Sequence, residues 1–201
     1  MKRIFALVVL TFMLVCLVVP FTACGEETDT QYAHIEIEDY GTIVFELRPD
    51  QAPITVANFV SLAESGFYDG LTFHRIIEGF MMQGGCPNGN GTGDSGTDIV
   101  GEFSANGYNN TLSHVRGTVS MARGGHPYYD YLYYNTGSSQ FFIVHEDSTN
   151  LDGNYAAFGT VVEGMDIVDR ICTEAQPTDS NGTIPAAKQP VIKSITIKND
   201  Y

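Results

Sequence analysis

Arg75 sits in the run Phe73-His74-Arg75-Ile76-Ile77-Glu78-Gly79-Phe80-Met81-Met82-Gln83-Gly84-Gly85, one guanidinium among apolar and aromatic residues, followed by a glutamine and a glycine pair. A guanidinium is planar, permanently charged and offers five N–H donors, so it can grip a carbonyl or an amide. The run pairs no nucleophile with a base and shows no metal-ligand spacing. A cation beside a greasy wall suits chemistry that needs a shaped pocket and few proton transfers. Two later blocks carry the same residue types. Ser138-Ser139-Gln140-Phe141-Phe142-Ile143 adds a second amide side chain, and Leu151-Asp152-Gly153-Asn154-Tyr155-Ala156-Ala157-Phe158-Gly159 adds further apolar and aromatic groups.

Other constellations fail on their context. Gly91-Thr92-Gly93-Asp94-Ser95-Gly96 spells G-x-G-x-x-G, but Thr97-Asp98-Ile99-Val100-Gly101-Glu102-Phe103 does not start a helix, so no helix end faces a pyrophosphate. The glycines there read as a loop with unusual backbone angles. Asp152, Asn154 and Glu163 fall at positions 1, 3 and 12 of a calcium loop, yet Ala157 stands where the loop needs glycine. The five histidines show no close ligand pairing, so no metal site is expected. Ser138 and Ser139 lack the glycine-framed elbow of serine hydrolases and read as strand entry.

The elements that must position these residues are mostly short strands. Tyr32–Glu38 and Thr42–Leu47 alternate about Asp39-Tyr40-Gly41, a hairpin pattern. Pro53 opens a helix in which Val56, Phe59, Val60 and Ala63 recur at helical spacing, and Gly66 ends it. Strands follow at Phe73–Ile77, Phe80–Gln83, Gly117–Met121, Gln140–Val144 and Ala156–Val161, then a second helix at Met165–Ile171 and a closing strand at Val191–Lys198. Many short strands with two helices predict a mainly β fold, a closed antiparallel barrel capped by the helices. The connection from Gly124 to Ser139 holds five of the 11 tyrosines and joins the Met121-Ala122-Arg123 and Gln140-Phe141-Phe142 runs, so its tip is expected either to overhang a site built from those runs or to cover part of the barrel.

The amino-terminal residues belong to a different system. Lys2 and Arg3 precede an apolar stretch from Ile4 to Val19, then Pro20-Phe21-Thr22-Ala23-Cys24-Gly25. Basic start, apolar centre and small residues before a cleavage point read as a secretory signal. The small pair before Cys24 resembles a lipobox, with Phe21 where leucine is commonest; the resemblance implies that Cys24 receives the lipid. An ordinary cleaved signal and an uncleaved anchor are the alternatives. The organisation expected is a lipoprotein signal over 1–23, a polar tether over 24–31 and one folded domain over 32–201, outside the cytoplasm and held to a bacterial membrane by lipid.

The net charge of −14 understates the domain's acidity. Removing residues 1–23 takes Lys2 and Arg3 but none of the 24 acidic residues, leaving 8 basic ones and a charge of −16. Such a surface repels nucleic acid and anionic headgroups. Of the four cysteines only Cys86 and Cys172 fall in the domain. An oxidising exterior permits a bridge between them, and two free thiols are the preferred reading.

The three blocks, in this order, closely resemble the cyclophilins, the peptidyl-prolyl cis–trans isomerases. The resemblance spans about Tyr32 to Ile197. It implies an eight-stranded barrel with a helix at each end and isomerisation of X–Pro bonds in proline-containing polypeptides; no cofactor is needed, and a monomer is expected. It implies catalytic roles for Arg75, Phe80 and Gln83. Substrate contacts fall to Met81, Gly91, Ala122, Gln140, Phe142, Leu151 and Tyr155, and His74 packs in the barrel. Three positions depart from the best-known eukaryotic members: Tyr155 replaces histidine, Arg123 replaces asparagine and Asn150 replaces tryptophan. Contacts at Arg123 are expected to be mainly main-chain. A peptide-binding chaperone module with little isomerase activity is the runner-up.

Overall fold

Alternation decides the first hairpin. β1 (Tyr32–Ile37) and β2 (Gly41–Leu47) pair antiparallel from Tyr32 opposite Glu46 to Ile37 opposite Gly41. Ala33, Ile35 and Ile37 all point into the core. Asp39 makes the turn at φ 63°, left-handed backbone that aspartate tolerates better than most residues. The computed structural model describes residues 30–200. The expected signal, Cys24 and most of the tether lie outside the described residues. The backbone of Gln31 already accepts a hydrogen bond from Leu47 N at 2.8 Å.

The other strands are β3 (Phe73–Ile77), β4 (Met81–Gly84), β5 (Thr118–Met121), β6 (Phe141–Val144), β7 (Ala157–Glu163) and β8 (Ile192–Lys198). They form one curled sheet in the order β3-β4-β6-β5-β7-β2-β1-β8, every neighbouring pair antiparallel. The sequence predicts a closed barrel. In the structure regular pairing stops at the edge strands β3 and β8. The seam between them carries the bridge Thr72–Val191 and the bonds Phe73 N to Pro190 O and Ile192 N to Leu71 O. Pro190 has no N–H to extend a ladder there.

Helix α1 (Pro53–Glu64) lies against β8, and α2 (Met165–Glu174) against β2 and β4. Residue Ala52, at the cap position of α1, has no side-chain acceptor. Buried Glu102 supplies it from another part of the chain. Its Oε1 accepts from Ile54 N at 3.0 Å, and its Oε2 from Thr55 N and Thr55 Oγ1, both at 2.7 Å. A carboxylate there satisfies orphan N–H groups and meets the positive end of the helix dipole. Helix α2 runs three residues past its predicted end because Cys172 continues the buried stripe of Val168 and Ile171. Strand β7 extends past Val161 because Glu163 still pairs with Val44 of β2.

An aromatic cluster fills the interior. Phe59 of α1 meets Phe45 at 5.5 Å, Phe141 at 5.5 Å and Phe158 at 5.2 Å between ring centroids. Cys86 and Cys172 are free, buried thiols. Burial pushes the Cys172 thiol up to about 12. No helix among the described residues is long and apolar enough to cross a membrane.

Candidate active site

One bulge puts Arg75 on the outside of the sheet. Phe73 pairs with Gly84 but Arg75 with Gln83, so the register slips across His74. A bulge re-aims the side chains after it. Phe73 and Ile76 therefore both enter the core, while Ile77 packs with the apolar cluster of Met81, Phe142 and Val144 on the other face. Gly84 and Gly85 give the closeness this needs. A Cβ on Gly84 would lie 2.9 Å from the Phe73 ring, and one on Gly85 2.6 Å from Ser139 O.

Register then lines up the site. Arg75 of β3 stands opposite Gln83 of β4, Gln83 opposite Phe142 of β6, and Phe142 opposite Ser120 of β5. Side chains directly opposite across strands are in contact range. Strand β6 is apolar throughout because both faces are covered: Phe141 and Ile143 fill the core, Phe142 and Val144 the outer cluster.

Arg75, Phe80, Met81, Gln83, Ala122, Arg123, Phe142, Leu151 and Tyr155 line a pocket of about 140 Å³. Gly91 and Gln140 lie instead on a larger adjoining cavity of about 370 Å³, which shares Gln83, Ala122 and Arg123 with the first. Every residue proposed from the sequence, Cys24 apart, thus falls on one or other of two contiguous hollows.

A chain of amides orients Arg75. Its Nη1 donates to Gln83 Oε1 at 3.2 Å, and Nε donates to Asn181 O at 2.7 Å. Gln83 Nε2 donates to Gln140 Oε1 at 3.0 Å. Gln140 Nε2 donates to Gly91 O at 3.1 Å and Gly93 O at 2.8 Å. Burial first, then the charges of Tyr155 and Asp179, act on Arg75, and burial wins, lowering its pKa from the usual 12.5. Arginine titrates so high that it stays charged. The guanidinium lies 6.0 Å from the centre of the Phe80 ring. Met81 Sδ is 3.7 Å from Nη1.

Sequence reading missed two arrangements. The first is Ser120–His114–Asp152. His114 Nε2 lies 2.9 Å from Ser120 Oγ, and Nδ1 lies 2.8 Å from Asp152 Oδ1. That spacing is that of a nucleophile, base and orienting carboxylate. Ser120 is wholly buried, however, and opens onto neither hollow. The relay instead braces the pocket from behind: the His114 ring stacks on Phe142 at 6.0 Å and 20°, and meets the Tyr155 ring at 6.4 Å. Burial holds the His114 pKa below 6.5, against the pull of Asp152. No local motif marks the group, because its members come from a loop, a strand and a turn; only the shared Phe142 neighbourhood unites them.

The second is Arg123. Its side chain, only 5% exposed, lies 4.7 Å over the Tyr155 ring and enters the pocket wall. The sequence leads one to expect main-chain contacts there. Of the weighed serines, Ser138 Oγ donates to Thr97 O and Ser139 Oγ to Gly85 O, both at 2.8 Å, so both tie strand entry to neighbouring loops. His74 is buried, with Nδ1 unpaired among the described residues, in keeping with packing.

A charged donor thus stands over a small pocket walled by Phe80, Met81, Phe142, Leu151 and Tyr155, with amides ranged beside it. Residues 32–199 match the family described as cyclophilin type peptidyl-prolyl cis-trans isomerase/CLD, and the chain belongs to that family. Peptidyl-prolyl cis-trans isomerase B of Bacillus subtilis is 49% identical over 130 residues, 65% of this chain and 82% of its own. A peptidyl-prolyl cis-trans isomerase of Synechococcus elongatus is 46% identical over 148 residues, 70% of this chain and 92% of its own. A crystal structure of a cyclophilin type isomerase from Cryptosporidium parvum superposes with a TM-score of 0.72 at 31% identity, covering 86% of this chain and 99% of its own. A second structure of it, in the presence of the dipeptide Ala-Pro, gives 0.70.

Proposed function

We propose that this protein accelerates X–Pro rotation in polypeptides outside the cytoplasm, with the domain tethered to the membrane by a lipid on Cys24. The supporting observation is the row Arg75–Gln83–Phe142, which sets a charged donor beside an apolar pocket able to take a proline ring. Rotation about a peptide bond crosses about 18–20 kcal/mol because amide resonance is lost. Uncatalysed X–Pro exchange takes tens to hundreds of seconds. The twisted amide differs from both planar forms in one respect: its nitrogen regains a localised lone pair. A donor aimed at that nitrogen stabilises the transition state selectively, which is what raises a rate.

Arg75 is that donor in this reading. Nε and Nη1 are engaged by Asn181 and Gln83, which leaves Nη2 without a protein partner among the described residues. Gln83 fixes the guanidinium plane and, with Gln140, holds the peptide backbone. Phe80, Met81, Phe142, Leu151 and Tyr155 seat the proline ring, while Gly91 and Ala122 meet the chain beside it. No bond is made or broken, so a tyrosine in place of histidine at 155 costs no proton carrier.

A protease-coupled assay with a proline tetrapeptide, on the protein lacking residues 1–24, tests the activity. Turnover no faster than the uncatalysed rate rejects it. Membrane fractionation of the full chain against Cys24→Ala tests the anchor. Equal partition of the two rejects lipidation. Stable anchoring requires more than one acyl chain, so mass spectrometry of the mature terminus should show at least two.

A further inference from the structure

Arg123 is bonded in four directions. Nε donates to Asn154 O at 2.9 Å, Nη1 to Gly124 O at 2.8 Å and to Asp130 Oδ1 at 3.0 Å, and Nη2 to Asp130 Oδ2 at 2.7 Å. Its plane also covers Tyr155 at 4.7 Å, Tyr134 at 5.1 Å and Phe103 at 5.4 Å. Asn154 and Tyr155 belong to the proline pocket side; Asp130 and Tyr134 belong to the tyrosine-rich excursion. A planar fork is the one side chain that can serve a bidentate carboxylate and stack on rings together.

The excursion is packed, not loose. The His126 ring stacks on Tyr129 at 5.3 Å and on Tyr133 at 6.3 Å, and its Nδ1 accepts from Tyr128 N and Tyr129 N, both at 3.2 Å. Asn135 Oδ1 accepts from Gly101 N at 3.1 Å, and Thr136 Oγ1 from Gly124 N at 2.9 Å. The dock is close: a Cβ on Gly101 would fall 2.2 Å from Tyr134 O. The excursion's inner edge, Tyr133 and Thr136, lines the larger cavity beside the proline pocket. Tyr128, 83% exposed, faces solvent instead.

We propose that Arg123 is a positioning residue that locks the excursion to the proline pocket through Asp130, so that Tyr133 and Thr136 form a wall selecting the residue that flanks the isomerised proline. This rests on the isomerase reading. The fork ties Asp130 directly to the wall of the proline pocket, beside the separate anchors at Asn135 and Thr136. Release of Asp130 frees the excursion from its carboxylate anchor but leaves Arg123 stacked on Tyr155. The proline pocket then stays intact while the second cavity loses its fixed side.

The test uses Asp130→Asn and Arg123→Lys in the protein lacking residues 1–24, with two readouts. Hydrogen exchange should rise over 124–136 in both variants, with the thermal midpoint little changed. Kinetics should use tetrapeptides carrying glycine or a bulky residue at each position flanking the X–Pro pair. In Asp130→Asn, KM should rise about three- to tenfold for the bulky peptide that reaches the second cavity, with kcat and the glycine peptides unchanged. Arg123→Lys keeps the charge but not the fork and should not rescue that loss. Equal effects on glycine and bulky peptides, wild-type behaviour of Arg123→Lys, or unchanged exchange over 124–136 would each overturn the proposal. Failure of the unaltered protein to turn over any peptide would instead sink the isomerase reading, and exchange would still test the lock.

Discussion

At the scale of single residues, the site separates groups that act from groups that hold. In the proposed reading Arg75 acts, and its neighbours Gln83 and Asn181 fix it. Arg75→Ala should lower kcat/KM by at least about a hundredfold, or about 2.7 kcal/mol, with little change in thermal midpoint. Arg75→Lys should be nearly as poor, because a single ammonium nitrogen on a flexible stem cannot reproduce the guanidinium plane that Gln83 and Asn181 fix. Activity of either variant near that of the unaltered enzyme would rule Arg75 out. His114 holds. Its folded pKa lies below 6.5, so between pH 6.5 and that lower value the unfolded chain takes a proton that the folded chain refuses. Stability is therefore complete above about pH 6.5 and is lost as pH falls through the window. Buried His74, its pKa also lowered by burial and then by Arg75, adds a slope of the same sign. Denaturant unfolding from pH 7.5 to 5 should show a shallower loss in His114→Asn than in the unaltered protein; parallel slopes would dismiss the relay as a source.

At the scale of elements, two long-range devices replace local signals. The first is the His74 bulge, which turns Arg75 outward while Phe73 and Ile76 stay in the core. The second is Glu102 at the head of α1, which takes the place of a missing cap at Ala52. Charged hydrogen bonds contribute about 1.5–3 kcal/mol each net, and a helix dipole adds to a carboxylate at its amino end. Glu102→Ala should cost roughly 2–4 kcal/mol, since three donors lose their acceptor. Glu102→Gln should cost clearly less, because one acceptor oxygen remains. Urea unfolding at unchanged m value measures both. A loss under about 0.5 kcal/mol in the alanine variant, the range of ordinary surface changes, would refute the cap.

At the scale of the molecule, charge is expected to bias client choice. The chain carries −14, and Asp94 and Asp98 stand exposed on the larger cavity while Arg123 is neutralised by Asp130. Electrostatic steering raises encounter rates for opposite charge and is screened over about 8–10 Å at physiological salt. Tetrapeptides with lysine beside the X–Pro pair should exceed their glutamate counterparts in kcat/KM by about threefold or more at low salt, and the ratio should shrink as salt rises. A ratio independent of salt would exclude steering.

The sequence by itself determined the family, the run of strands and helices, and the set of residues around the pocket. Arg75, Phe80, Gln83, Gln140 and Phe142 were legible because they lie in contiguous blocks where a motif fixes identity and order. Both helices were legible because Pro53 starts one and the apolar spacing of Met165, Val168 and Ile171 marks the other. Tertiary structure decided what depends on distant partners. Register divided the pocket residues between two hollows, and Pro190 left the β3–β8 seam to a bridge and a few hydrogen bonds. Burial turned Ser120–His114–Asp152 from a reactive pattern into a brace. Arg123 gained its role only when Asp130, Asn154 and Tyr155 converged on it. A side chain's type travels with the chain, but its partners are fixed only when strands far apart in sequence come within hydrogen-bond reach.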